Sequence, residues 1–199
     1  MAATGSLGIG NPAAGVGGLF GAAALYYGAH LKPYMASIDG GVKATIDLLH
    51  SELSHCPEAE FVLAGYSQGA IAIHQAELRL ERGGDFETLD AIAGTLLLGN
   101  GDRVAGSKAK LVGGAPRGVR GVRVVLHAIK SRDVAEPEAT VEICVRGDIV
   151  CDFDLDVGAG SLSKYKAAAH VHSSYVDAPQ SYYLDVAAQK MATMMGLLG

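Results

Sequence analysis

The period of the apolar positions changes several times along the chain, and each change marks an element. After Ser37-Ile38-Asp39, a capping candidate, Val42, Ile46, Leu49 and Leu53 recur at helical spacing, which predicts an amphipathic helix ending near Cys56-Pro57. A continuous apolar run then begins at Phe61-Val62-Leu63-Ala64 and breaks at Gly65-Tyr66-Ser67-Gln68-Gly69. It resumes at Ala70-Ile71 with no Gly or Pro before Gly83. That order reads as strand, sharp turn, helix. Gly83-Gly84-Asp85 interrupts the chain, and the run from Ala91 to Gly99 reads as a strand buried on both faces. Residues 100–121, rich in Gly, Lys and Arg, read as a surface excursion, while Val122 to His127 and the alternating Val141-Glu142-Ile143-Cys144-Val145 read as further strands. Asp177-Ala178-Pro179 offers an N-cap and a first-turn proline to a closing helix with Tyr183, Ala187, Met191 and Met194 on one face. Strands alternating with helices predict a three-layer α/β/α sandwich around a mostly parallel central sheet, built as one domain over residues 1–199.

The first 24 residues are an irregular Gly/Ala run containing Pro12, followed by Leu25-Tyr26-Tyr27, which reads as a short buried strand. Gly8-Ile9-Gly10-Asn11-Pro12-Ala13 matches the loose dinucleotide pattern G-x-G-x-x-A, but no strand precedes it and Pro12 falls where helix backbone should hold a pyrophosphate. No cofactor is expected. With 49% hydrophobic and 19% charged residues in 199, the chain can bury a real core and is not of the disordered class. A net charge of -5, with 16 basic residues spread along the chain, leaves no basic stripe for nucleic acid or an anionic membrane surface. No apolar run reaches the length of a membrane span, and Met1 to Gly8 lacks the charged start and unbroken apolar core of a signal peptide. Cys144 and Cys151 flank six residues and are either a small-loop bridge, implying an oxidising compartment, or two buried thiols; Cys56 has no obvious mate.

The strand-turn-helix at Gly65-Tyr66-Ser67-Gln68-Gly69 has the form of a nucleophile elbow, G-x-S-x-G, in which a serine at a strained turn points its hydroxyl out of the top of a sheet. Gly65 and Gly69 are expected to give the backbones room to pass. A serine hydroxyl is a poor nucleophile at neutral pH, so it needs a base and an acid that orients the base. His170 and His172 lie late enough in the chain to be the base. The acid candidates are Asp148, beside Gly147 at the end of a predicted strand, and the trio Asp152, Asp154 and Asp156; position favours Asp148. A metal site is not expected. His170-x-His172 lacks a third ligand nearby, and the Asp trio fails a calcium loop because Val157 stands where glycine is needed and Ser163 where a bidentate Glu is needed.

Four segments together give the chain a resemblance to the cutinase family of secreted serine esterases, in particular its actinobacterial branch, from about Tyr27 to Tyr175. They are Ser37-Ile38-Asp39-Gly40-Gly41-Val42 leading a helix to Cys56-Pro57; Gly65-Tyr66-Ser67-Gln68-Gly69-Ala70; Cys144 to Cys151 enclosing Gly147-Asp148; and His172-Ser173-Ser174-Tyr175. The resemblance implies Ser67 as nucleophile, Asp148 as acid and His172 as base, the last because the family's histidine is followed at the third position by Tyr, here Tyr175. It further implies a Cys144–Cys151 disulfide, the Gln68 backbone N–H as one oxyanion donor, and secretion. Ile149 stands where the family usually has proline after the acid. The family's first strand, ending in Arg-Gly-Thr or Arg-Gly-Ser, is expected to be missing here with only Ala2-Ala3-Thr4-Gly5-Ser6 left of it, which would make Thr4 the second oxyanion donor and leave Cys56 unpaired. The expected function is a monomeric serine carboxylesterase acting on a lipophilic ester, with Phe153, Leu155, Val157 and Leu162 as an apolar wall. Its rivals are a non-catalytic α/β binding or surface protein and an acyltransferase using the same triad.

Overall fold

The computed structural model describes residues 24–125, 132–154 and 162–197. Helix α1, Ala24–His55, opens the described chain. Its second half follows the helical spacing read from Val42 to Leu53, but it also runs through Leu25-Tyr26-Tyr27, where a strand was expected. A three-residue apolar run carries no period of its own, so continuity with the helix beyond it decides its state. Strand β1, Phe61–Tyr66, leads through Ser67 into α2, Gln68–Gly83, and Gly84 ends that helix in the left-handed conformation at φ 73. A short helix α3, Phe86–Asp90, is capped by the Asp85 carboxylate, which accepts from the Thr88 N–H, and strand β2 follows as Ile92–Leu98.

Two expectations between residues 100 and 127 are corrected. The excursion holds a three-residue strand β3, Lys110–Val112, too short to show a period. Val122–Val125 is a single helical turn, α4, not a strand: the Val122 N–H is taken by the Val150 carbonyl and the Arg123 N–H by that of Gly101. Strand β4 is Thr140–Ile143, α5 is Leu162–Ser173, and α6 is Ser181–Met194. The last helix therefore starts two residues beyond Pro179, and Asp177 holds its first turn through its backbone carbonyl, which accepts from the Ser181 N–H.

The sheet runs β1-β2-β4-β3 with every neighbouring pair parallel. Alternation along β2 and β4 sorts the two faces. Leu96, Leu98, Val141 and Ile143 pack with Ala187 and Met191 of α6, whereas Leu97 packs with Ala70 and Ile73 of α2. Helix α1 lies on the outside of α2 through Tyr34, Ile38 and Val42 against Ile71 and Ala76. The result is the expected three-layer α/β/α sandwich, with the parallel strands ending at one edge of the molecule where Ser67, Gly99 and Cys144 emerge.

Candidate active site

Ser67 occupies the turn between β1 and α2 with φ 55 and ψ -116, a conformation that costs a non-glycine residue about 1–3 kcal/mol and persists only where the surroundings impose it. The surroundings here are two backbone hydrogen bonds, Ser67 N–H to the Leu98 carbonyl at 2.8 Å and Ile71 N–H to the Ser67 carbonyl at 3.1 Å. A Cβ on Gly65 would stand 2.6 Å from the carbonyl carbon and oxygen of Gly69, so only glycine fits there. Gly69 itself has nothing within 4 Å of its Cβ position, which corrects the expectation that both glycines are needed for space.

Three chain segments meet at this turn. His172, in the last turn of α5, places Nε2 2.8 Å from the Ser67 Oγ. Its other nitrogen, Nδ1, lies 2.9 and 3.0 Å from the two carboxylate oxygens of Asp148. Asp148 is fully buried, and its carboxylate is fixed by more than the imidazole. Oδ1 accepts from the N–H of Val150 at 2.6 Å and of Cys151 at 3.3 Å, and Oδ2 accepts from the Tyr175 hydroxyl at 2.6 Å. That hydroxyl in turn accepts from the Val145 N–H at 3.2 Å. Burial, and next the negative charge of Asp148, push the Tyr175 phenol far up, so it stays a donor. Gly147 turns the chain into this loop at φ 84, and the Cys144–Cys151 disulfide closes the loop, with its Cα atoms 5.9 Å apart. Cys56 is an exposed free thiol.

The other sequence candidates separate from this group. His170 is exposed on α5. Asp152 turns back on its own loop and accepts from the Gly147 N–H at 2.8 Å. Asp156, Thr4, Leu155 and Val157 lie outside the described residues. Phe153 is buried in the core with Val122, Ile149, Val150 and Ala168, so it does not belong to an exposed apolar wall, whereas Leu162 is 68% exposed. Gln68 is buried, its side-chain oxygen taking the Ser37 hydroxyl at 3.3 Å and its amide reaching the Tyr34 carbonyl at 3.5 Å. Its backbone N–H heads α2, where a helix has no internal acceptor for its first N–H groups.

Two site features escaped sequence reasoning. Gly99, just past β2, has φ 60, and a Cβ there would stand 2.8 Å from His172 Cε1 and 3.3 Å from Asp148 Oδ2. Its place at the end of a strand was visible, but its positive φ was not. Behind it lies a buried polar group: Asn100 donates to Glu142 at 3.0 Å and its amide lies 3.1 Å from His74 Nδ1, while Arg103 stands 3.6 Å from Glu142. Burial pushes Glu142 up to about 7, opposed by the Arg103 charge and the Asn100 hydrogen bond. Burial likewise pushes Glu77, on α2, up to about 7 despite a hydrogen bond from Thr95.

A parallel α/β sheet with helices on both faces, carrying a strained serine at a strand-to-helix turn, is the architecture of an α/β-hydrolase. The family model for Cutinase matches residues 14–189, and the chain belongs to the cutinase family. Cutinase cut1 of Trichoderma harzianum is 35% identical over 75 residues, a stretch that is 34% of this chain and 29% of that relative's length. Among solved structures, a cutinase-like protein from Cryptococcus sp. is 25% identical with a TM-score of 0.57, over 78% of this chain and 70% of that one. The catalytic core domain of acetyl xylan esterase from Trichoderma reesei is 19% identical with a TM-score of 0.54, over 81% and 71%, and shares the fold. The chain spans under a third of the length of the curated relative it matches. No helix among the described residues is long and apolar enough to cross a membrane.

Proposed function

We propose that the chain is a serine carboxylesterase that hydrolyses lipophilic esters through Ser67, His172 and Asp148. The observation that supports this reading is the unbroken hydrogen-bonded path from Ser67 Oγ through both imidazole nitrogens to a buried carboxylate, at 2.8 and 2.9 Å. Ser67 Oγ attacks the ester carbonyl while His172 Nε2 takes its proton, and the Gln68 N–H, with Thr4 as the second donor, holds the oxyanion, each donor contributing about 3 kcal/mol. The imidazolium, steadied by Asp148, then protonates the leaving alcohol, and the ester bond breaks to leave an acyl group on Ser67. Water, deprotonated by His172, releases the acid. The disulfide around Asp148 supports function in an oxidising compartment, hence secretion. The test is hydrolysis of p-nitrophenyl butyrate by the wild type, Ser67→Ala and His172→Ala proteins. Turnover that both substitutions abolish is expected; turnover that survives Ser67→Ala would refute the triad, and no turnover by the wild type would favour a non-catalytic binding protein.

A further inference from the structure

A helix leaves its last carbonyls without internal donors, and α5 ends one residue after His172. The donor that reaches the His172 carbonyl comes from far away in sequence: the hydroxyl of Tyr66, at 2.6 Å across 106 residues. Tyr66 is the last residue of β1 and the immediate neighbour of Ser67. Its ring also lies along the imidazole of His172, with centroids 5.0 Å apart and planes 22° from parallel. One side chain therefore joins the strand of the nucleophile to both the backbone and the ring of the base. His172 is 5% exposed and lies under this ring, whereas Tyr66 is itself 45% exposed. Gly99 stands against the Cε1 edge, and Tyr175 meets the ring edge-on at 6.3 Å.

We propose that Tyr66 is a positioning residue of His172, a side-chain cap on α5 that, beside Asp148, sets where the imidazole stands relative to Ser67. The inference rests on the reading of His172 as the base. Capping the carbonyl fixes the end of α5, and stacking fixes rotation of the ring about its own bond, so the two contacts control different freedoms of one side chain. Burial, and next the charge of Asp148, push the Tyr66 phenol up to about 12, so the hydroxyl remains a donor over the whole range in which an esterase works. The rest of α5 is held on the acid's side, where Ala168 packs with Val122, Ile149 and Phe153. Tyr66 supplies the tie on the nucleophile's side.

The test separates the two contacts and does not depend on turnover alone. Tyr66→Phe keeps the ring and removes the hydroxyl; Tyr66→Leu removes both. The first readout is the far-downfield NMR resonance of the proton between His172 Nδ1 and Asp148, which reports imidazole position in the resting protein. It should be sharp in the wild type, broadened in Tyr66→Phe and lost in Tyr66→Leu, with Tm unchanged in Tyr66→Phe. The second is steady-state hydrolysis of p-nitrophenyl butyrate, where kcat should fall roughly tenfold in Tyr66→Phe and roughly a hundredfold in Tyr66→Leu at unaltered KM. A Tyr66→Phe protein with wild-type resonance and wild-type kcat overturns the inference. So does a wild type that lacks the resonance, or a loss of kcat in Tyr66→Phe that is accompanied by a lower Tm. Should Ser67→Ala retain hydrolysis, the esterase reading fails, while the resonance still decides on Tyr66.

Discussion

Replacing Gly99 by Ala perturbs His172 and Asp148, the proposed base and acid, at once without removing any atom of either. At φ 60 an L side chain is disfavoured by about 1–2 kcal/mol before any contact is counted. The new methyl would then stand 2.8 Å from His172 Cε1, 3.1 Å from Nδ1 and 3.3 Å from Asp148 Oδ2. Restoring ordinary carbon-carbon contact needs a shift of roughly 0.7 Å or more at Cε1. The backbone of Ser67 and the carboxylate of Asp148 are both held by backbone hydrogen bonds, so the imidazole is the group that gives way. A misplacement approaching 1 Å at a reacting group lowers turnover roughly a hundredfold. Gly99→Ala is therefore expected to cut kcat toward p-nitrophenyl butyrate by about 10²-fold and to lower Tm by a few degrees, about 2–4 °C per kcal/mol for a chain of this size. Gly118→Ala is the control, since nothing lies within 4 Å of its Cβ position and its φ is ordinary. The reasoning is refuted if Gly99→Ala retains kcat within a small factor of the control, because the protein would then have absorbed the added methyl without moving the base.

Gly65→Ala should prevent accumulation of folded protein, since its Cβ would meet Gly69 backbone at 2.6 Å, whereas Gly69→Ala should fold; equal thermal melts for the two would contradict the account of the elbow. Glu77→Gln should alter the pH dependence of stability. With its carboxyl at about 7 in the fold against an ordinary 4.5, the folded state binds the proton more tightly, so Glu77 costs stability progressively as pH rises from about 4.5 to 7. Urea titrations should find the Gln variant gaining roughly 1–3 kcal/mol on the wild type between pH 5 and pH 8, and a difference independent of pH would contradict it. Reduction of Cys144–Cys151 should lower stability by about 2.5 kcal/mol on the loop-closure estimate and free Asp148. Thiol titration of the unfolded, oxidised protein should find Cys56 alone reactive, and reactive Cys144 would oppose the pairing.

The elements that carry the site were legible because their patterns are local. The run at Phe61, the break at Gly65 and the helical stretch from Ala70 each announce themselves within a few residues, and Ser67 follows from their order. Asp148 is a candidate from its place after an alternating strand, while the choice of His172 over His170 rests on likeness to a family, since both sit on one helix two residues apart. What was not legible is set by contacts between distant segments. Tyr66 and His172 are 106 residues apart, and nothing local to either marks the hydrogen bond between them. A Cβ on Gly99 would meet His172 and Asp148, residues far along the chain that nothing local to Gly99 announces. Leu25-Tyr26-Tyr27 and Val122 to Val125 read as strands in the sequence yet are helical, because short apolar runs fit either state and a neighbouring helix or a pair of loop carbonyls decides between them.

The central claim is that Ser67 is an activated nucleophile, and covalent labelling tests it with no assumption about the natural ester. A fluorophosphonate probe reacts with a serine whose proton is taken by a neighbouring base, and peptide mapping of the adduct identifies the residue. The account predicts a label on Ser67, absent in Ser67→Ala, strongly slowed in His172→Ala and undiminished in His170→Ala. A label that maps elsewhere, or that persists in Ser67→Ala, would contradict it.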